Sequence, residues 1–124
     1  MGILEHANLT VSDPDATAAW LCDLFDWKIR WRGDAINGGL SVHVGGKDSY
    51  LALYNPRESL AEAHSSYETI GGLNHVGVVV DDLDAAERKV KALDFETHSH
   101  ANYEPGRRFY FHDRDGVEFE IIEY

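Results

Sequence analysis

Between residues 3 and 11 apolar and polar positions alternate, so that Leu4, His6, Asn8 and Thr10 share one face of an extended strand and Ala7, Leu9 and Val11 share the other. The second face is apolar and needs a partner, and the next residues supply it. Asp13 suits a helix N-cap, Pro14 suits the first helical position, and Ala16 to Phe25 carries apolar residues at helical spacing. Residues 14–25 are therefore predicted to form a helix lying on the strand. Trp27 to Arg32, Leu40 to Val44 and Ser49 to Tyr54 then read as three short strands, separated by turn residues at Gly33 to Gly39 and Gly45 to Asp48. This first module, residues 1–55, reads βαβββ and ends at Asn55-Pro56.

The pattern is then written a second time. Leu73 to Val80 is a near copy of Leu4 to Val11, and an offset of 69 positions, His6 to His75, also matches Asp13 with Asp82, Asp15 with Asp84, Ala16 with Ala85 and Leu24 with Leu93. Two related modules explain this economically. The second, residues 73–124, is predicted as a strand over Leu73 to Val80, an Asp82-capped helix to about Leu93, and strands over Glu96 to His100, Arg107 to His112 and Val117 to Glu123, with a tight turn at Asp113-Arg114-Asp115-Gly116. In its last two strands Tyr110 and His112 oppose Phe109 and Phe111, while Glu118, Glu120 and Ile122 oppose Phe119 and Ile121. One face of each sheet thus packs on its helix and the other is unusually polar. Residues 56–72 form a mostly polar linker, weakly helical at Leu60 to Ala63 and closed by Gly71-Gly72.

Composition narrows the function. A chain of 124 residues is enough for one domain with a real core, whereas each module alone is marginal. A formal charge of -11 repels polyphosphate and anionic lipid, which argues against nucleic-acid or membrane-surface partners. The start of the chain lacks a basic, apolar leader and no segment has the length of a membrane span, so a soluble cytoplasmic protein is expected. The single Cys22 sits among Trp20, Leu21, Leu24 and Phe25 and reads as core rather than nucleophile.

Candidate chemistry lies on the polar faces. If the modules are related by a pseudo-twofold, His6 and His75 occupy equivalent places and Glu120 projects from the concave side of the second module. Two imidazoles and a carboxylate are a set that holds a divalent transition-metal ion at three positions. Taken singly, each histidine is also compatible with a satisfied, half-buried side chain, and Glu120 with a surface carboxylate. An inward carboxylate between Phe119 and Ile121, however, is costly to bury without a cation or hydrogen bonds.

The βαβββ repeat, the strand-borne His6 and His75 and the ending Phe109-Tyr110-Phe111-His112-Asp113-Arg114-Asp115-Gly116-Val117-Glu118-Phe119-Glu120 resemble the vicinal oxygen chelate superfamily, the glyoxalase, bleomycin-resistance and extradiol dioxygenase group. The resemblance implies an α+β fold in which two βαβββ modules with mixed sheets curve around a cavity, residues 1–124 making a single domain. It implies His6, His75 and Glu120 as ligands of Fe2+, Mn2+, Ni2+ or Zn2+, a small-molecule substrate, and a homodimer. The chain departs from the family at Arg114, where the turn proline is usual. It departs also at Tyr50-Leu51-Ala52-Leu53-Tyr54, where glyoxalase I-like members carry a second glutamate and this chain has Ala52. The remaining pattern is like that of the three-ligand dioxygenases and fosfomycin-modifying proteins, in which substrate oxygens complete the metal sphere.

Tyr50 and Tyr54 share the parity of Ala52 and, with Asn8 and Arg108, are the candidate substrate-binding residues; Tyr110, His98 and His112 are the candidate catalytic residues, with His43 and His100 behind them. The leading expectation is a metal-dependent enzyme acting on a molecule with two adjacent oxygens, whether lyase, isomerase, oxygenase or thiol transferase. Its rival is a metal-free binding protein, in which aromatics such as Trp27, Trp31 and Tyr50 cradle the ligand, and a third reading is a subunit with a vestigial site.

Overall fold

The computed structural model describes residues 1–62 and 65–124, and the chain divides into two compact units, residues 1–60 and 61–124. The first contains β1 (His6–Thr10), α1 (Pro14–Phe25), β2 (Lys28–Asp34), β3 (Leu40–Gly45) and β4 (Tyr50–Asn55). Its sheet runs in the order β1-β4-β3-β2, with β1 parallel to β4 and the other pairs antiparallel. The Asp13 carboxylate accepts the Ala16 N–H at 3.1 Å and Pro14 opens the helix, which leaves the first turn without a wasted donor. Thr17, Ala18, Leu21 and Leu24 form the buried stripe of α1, and the helix lies on β3 and β4 over Val42, Val44 and Leu53. Asn55 ends the module by stitching: its Nδ2 donates to the carbonyls of Val11 and Ser12 at 2.8 and 3.1 Å.

The second unit repeats the order as β5 (Val76–Val79), α2 (Leu83–Ala92), β6 (Thr97–Tyr103), β7 (Gly106–His112) and β8 (Glu118–Glu123), with sheet order β5-β8-β7-β6. Asp82 caps α2 as Asp13 caps α1, and Leu83, Ala86 and Val90 face the sheet. Phe109, Phe111, Phe119 and Ile121 are fully buried, and Phe111 stacks between Phe95 and Phe119 at 5.5 and 5.2 Å. The β7 to β8 turn closes as expected, with Asp113 accepting the N–H groups of Asp115 and Val117 and Gly116 taking φ 79°. The fold is α+β, with two mixed four-stranded sheets each carrying a helix.

Three local details differ from expectation. The strand over 73–80 shortens to Val76–Val79, so His75 sits on the segment entering β5 rather than within it. Between His98 and Ala101 the pairing of β6 with β7 shifts register, with Ser99 at φ 56°. In the linker, residues 60–62 form no helix, Ala63 lies outside the described residues, and a 3-10 turn forms at Ser66–Glu68.

Candidate active site

Module two gathers most of the chemistry. The last two strands pair Tyr110 with Glu120 and His112 with Glu118, while parallel β5 sets Gly77 beside Glu120. Because partner residues in a ladder share a face, all five belong to the polar side, opposite the phenylalanines. His75, two residues before Gly77, places its Nε2 3.0 Å from Glu120 Oε2. The other oxygen of Glu120 accepts from Arg108 Nη1 at 3.1 Å, and Tyr110 donates to Oε2 at 2.9 Å. Glu118 accepts from the Tyr67 hydroxyl at 2.5 Å and faces His112 Nε2 at 3.2 Å. His112 Nδ1 in turn lies 3.1 Å from His98 Nε2. The result is an unbroken run of polar contacts from His98 through His112, Glu118, Tyr67 and His75 to Glu120 and Tyr110. His98 and His112 also line a cleft of about 360 Å³ with Phe95, Glu96 and Asp113.

The two carboxylates are 14% and 13% exposed, and neither is left uncompensated. Arg108 is only 8% exposed; its guanidinium donates to Glu120 and to the Gly106 carbonyl and lies 4.7 Å from the centre of the Tyr103 ring. Rather than standing open to a substrate anion, it is the counter-ion of Glu120. Burial, and then the hydrogen bond to Glu120, push the Tyr110 phenol above its ordinary range. The hydrogen bond to Glu118 pushes Tyr67 up to about 12. Both phenols therefore remain proton donors at neutral pH.

The corresponding face of module one is built from rings. Trp31 lies 5.0 Å from His43, His43 4.7 Å from Tyr50 and Tyr50 4.9 Å from His6, a ladder that crosses all four strands. The Arg30 guanidinium sits 4.5 Å over Tyr50. His6 turns its Nδ1 to Glu5 at 2.9 Å. Burial, and then repulsion from His6 and Arg30, hold the His43 imidazole below its ordinary pKa of 6.5. The register pairs Asn8 with Ala52 as it pairs Gly77 with Glu120, so Ala52 is the structural counterpart of Glu120 and carries no ligand. Asn8 is exposed on the His6 face, and Tyr54 is half-buried opposite Thr10.

His100 is not where simple alternation puts it. The bulge at Ser99 turns its ring away from His98 and toward α2, where Nε2 meets Glu87 at 2.6 Å and the ring lies over Phe109. Two other participants escaped the sequence reading. Glu118 had a legible signal, since it shares the parity of Glu120. Tyr67 had none, because it lies in the linker and has no counterpart in the repeat.

The family follows from these features and from comparison. The family profile for the Glyoxalase/Bleomycin resistance protein/Dioxygenase superfamily matches residues 3–121. The chain belongs to that superfamily. No curated protein sequence matches it significantly. Among solved structures, a glyoxylase/bleomycin resistance protein/dioxygenase domain from a Frankia species aligns with TM-score 0.83 and 20% identity, covering 99% of this chain and 98% of that one. TnmS3, an antibiotic binding protein from a Streptomyces species, aligns with TM-score 0.75 and 18% identity over 99% of this chain and 96% of that one. A mutant of the fosfomycin resistance protein FosX from Listeria monocytogenes, complexed with Mn(II) and dihydroxypropylphosphonic acid, aligns with TM-score 0.74 and 19% identity over 98% and 92%. At these identities the likeness is one of fold.

One FosX neighbour is complexed with Mn(II), and module two brings two candidate donors, His75 and Glu120, together. His75 Nε2 lies 3.0 Å from Glu120 Oε2, an ion-pair contact whose span two neighbouring ligands of an octahedral ion at about 2.1 Å would also have. A Cβ added to Gly77 meets no heavy atom within 4 Å, so the face beside Glu120 is open. His6 turns Nδ1 to the Glu5 carboxylate at 2.9 Å and His75 turns Nδ1 to the Tyr67 hydroxyl at 3.1 Å, so Nε2 of each is the nitrogen that would meet an ion. Among the described residues no group of three or more His, Cys, Asp or Glu side chains is placed to hold a metal ion. None of the described helices is long and apolar enough to cross a membrane.

Proposed function

We propose that this protein is a divalent-metal-dependent enzyme acting on a small molecule that binds through two adjacent oxygens, with His75, Glu120 and the equivalent histidine of module one, His6, as metal ligands. The observation that carries the reading is that the polar face of module two brings His75 Nε2 to 3.0 Å from Glu120 Oε2. Fe2+, Mn2+, Ni2+ and Zn2+ all accept two imidazoles and one carboxylate. The ion, when bound, supplies Lewis acidity and open positions for substrate oxygens. The chain's own residues do the rest. Arg108 neutralises Glu120 by donating to Oε1, which leaves Oε2 as the oxygen that would meet the ion. Tyr110, kept protonated, donates its hydroxyl hydrogen to the same oxygen and is the candidate proton donor of the site. His98 and His112 hold a proton between Nε2 and Nδ1 beside the cleft. Asn8, Tyr50 and Tyr54 are assigned to substrate contact from module one. The active species is proposed to be a homodimer.

A second reading has its own support. The ring ladder from Trp31 to His6 suits a flat ligand and requires no metal, so a binding or sequestration protein is the rival. Elemental analysis of protein purified without tag or chelator separates the two. The enzyme reading expects about one divalent ion per site and its loss in His75→Ala with the fold retained. Full occupancy in that variant would show the ligand assignment to be wrong, and a metal-free wild type that still binds planar aromatics would favour the rival. Mixing His6→Ala with Glu120→Ala chains tests whether ligands are shared between copies, and light scattering that finds only monomer at high micromolar concentration removes the dimer.

A further inference from the structure

We infer that the ring face of module one binds a planar aromatic carboxylate, with the ligand ring stacked on Trp31 and its anion met by the Arg30 guanidinium. Such a site rests on the binding reading given above for the ring ladder, names its ligand class, and needs no metal ion. Trp31 and His43 are register partners on β2 and β3, and their rings lie 5.0 Å apart. Tyr50 follows at 4.7 Å from His43, and Arg30 sits over the Tyr50 ring at 4.5 Å. Strict alternation would send consecutive residues to opposite faces of the strand. The register shift between Ile29 and Trp31 is what lets Arg30 and Trp31 reach the same pair of rings. An indole and a cation therefore flank one ring pair, so a flat ligand resting on Trp31 brings its substituent toward the charge.

Trp31 is seated as a platform. A Cβ at Gly33 would stand 2.7 Å from the indole Cζ2 and 2.9 Å from Cη2, so the six-membered ring rests against the glycine in space that any other residue would fill. The indole nevertheless stays 48% exposed on an edge strand, and stacking on a flat ring would take that apolar area out of water. Arg30 supplies the charge. Of the three arginines of module one, Arg32 is tied to Asp15 at 2.7 and 2.8 Å, and Arg57 meets Asp34 at 3.8 Å and the Gly38 carbonyl at 3.1 Å. Arg30 pairs with no carboxylate among the described residues; its contact is the Tyr50 ring. Glu5, close enough to feel its charge, is engaged instead by His6 at 2.9 Å and by the Tyr50 hydroxyl at 3.4 Å. A guanidinium held over a ring keeps its in-plane N–H groups free, the fork that a carboxylate accepts in two parallel bonds. In a chain of net charge -11 an anionic ligand needs a local cation, and Arg30 is one that no carboxylate of module one has taken.

Naphthoate and its neutral counterpart naphthalenemethanol test the site on protein freed of metal with EDTA, read by calorimetry and by the indole N–H signal of Trp31 in NMR. The carboxylate should bind about 10-fold more tightly than the alcohol, the effect of one hydrogen-bonded contact to a charged group, and both should move the Trp31 signal. Arg30→Gln should erase the difference between the two compounds. Trp31→Leu should weaken both about 5- to 10-fold through lost stacking. Gly33→Ala, whose added Cβ displaces the indole, should shift the Trp31 signal before any ligand is added and weaken both compounds with the fold retained. Equal affinity for acid and alcohol in the wild type and in Arg30→Gln overturns the carboxylate site and leaves the flat-ligand reading standing. A Trp31 signal that moves with protein concentration and with neither compound also overturns it, because the face is then a contact between copies. Binding of neither compound overturns the site alone, since the metal analysis above decides separately between the enzyme and the binding protein.

Discussion

Module one carries Tyr50 and Ala52 on β4 where module two carries Glu118 and Glu120 on β8, Ser41 where it carries Arg108, and His43 where it carries Tyr110. The backbone ladder is the same on both sides. What differs is how each sheet satisfies the face its helix does not cover. Module one fills it with stacked rings, whose contacts need little partnering beyond van der Waals approach. Module two places two nearly buried carboxylates there and must surround them with an arginine, two phenols and two imidazoles. One repeat has thus become a platform and the other a polar site, through substitutions at equivalent register positions and with no change of topology.

The most damaging test of this contrast is Arg108→Met. Arg108 and Glu120 are 9% and 13% exposed in their side chains, and removing one partner of such a pair destabilises by about 3–5 kcal/mol. Urea denaturation should show that loss, and saturating Mn2+ should recover part of it, because the ion replaces the missing charge. A loss below 1 kcal/mol would mean that Glu120 is better solvated than its surroundings indicate.

Transplanting the site is the next test. Ala52 is 3% exposed, so Ala52→Glu should destabilise module one by roughly 2–4 kcal/mol, since no arginine waits at position 41. Adding Ser41→Arg should return part of that stability. If the double variant is no better than the single one, the register equivalence between the sheets does not extend to their side chains. In the folded fraction, the new carboxylate should tighten metal binding and weaken a bidentate oxygen chelator such as a catechol.

His43 sharpens the comparison through pH. Its folded pKa lies below the ordinary 6.5, so the folded protein binds fewer protons than the unfolded one in that window. Its contribution is present above about pH 6.5 and is lost as the pH falls from there through the depressed folded value. The difference in urea midpoint between wild type and His43→Phe should therefore narrow between neutral pH and pH 5. A constant difference would place His43 in ordinary solvent. The smallest effect belongs to Tyr67: an absorbance titration should contain one phenol ionising near pH 12, absent in Tyr67→Phe and moved toward the ordinary 10 in Glu118→Gln.

Alternation, capping and the 69-residue offset determined both modules by themselves, because those signals are local and the helices obey them: Pro14–Phe25 has the predicted limits, and both aspartate caps form. The same alternation put Glu120, Tyr110 and His112 on one face, and the family resemblance marked Ala52 as the place where other members carry a glutamate. What tertiary structure decided was everything that depends on a bend or on a distant return of the chain. The bulge at Ser99 reversed His100, a change of one residue in register that no periodicity announces. Arg108 reads as a turn-side cation, and only the approach of β8 makes it the partner of Glu120. Tyr67 belongs to a linker without repeat or period, and its contact with Glu118, 51 positions away, exists because the chain folds back there. Strand faces are written in the sequence because side-chain direction alternates with the backbone; partners across a face are not, because they are fixed by where separate strands meet.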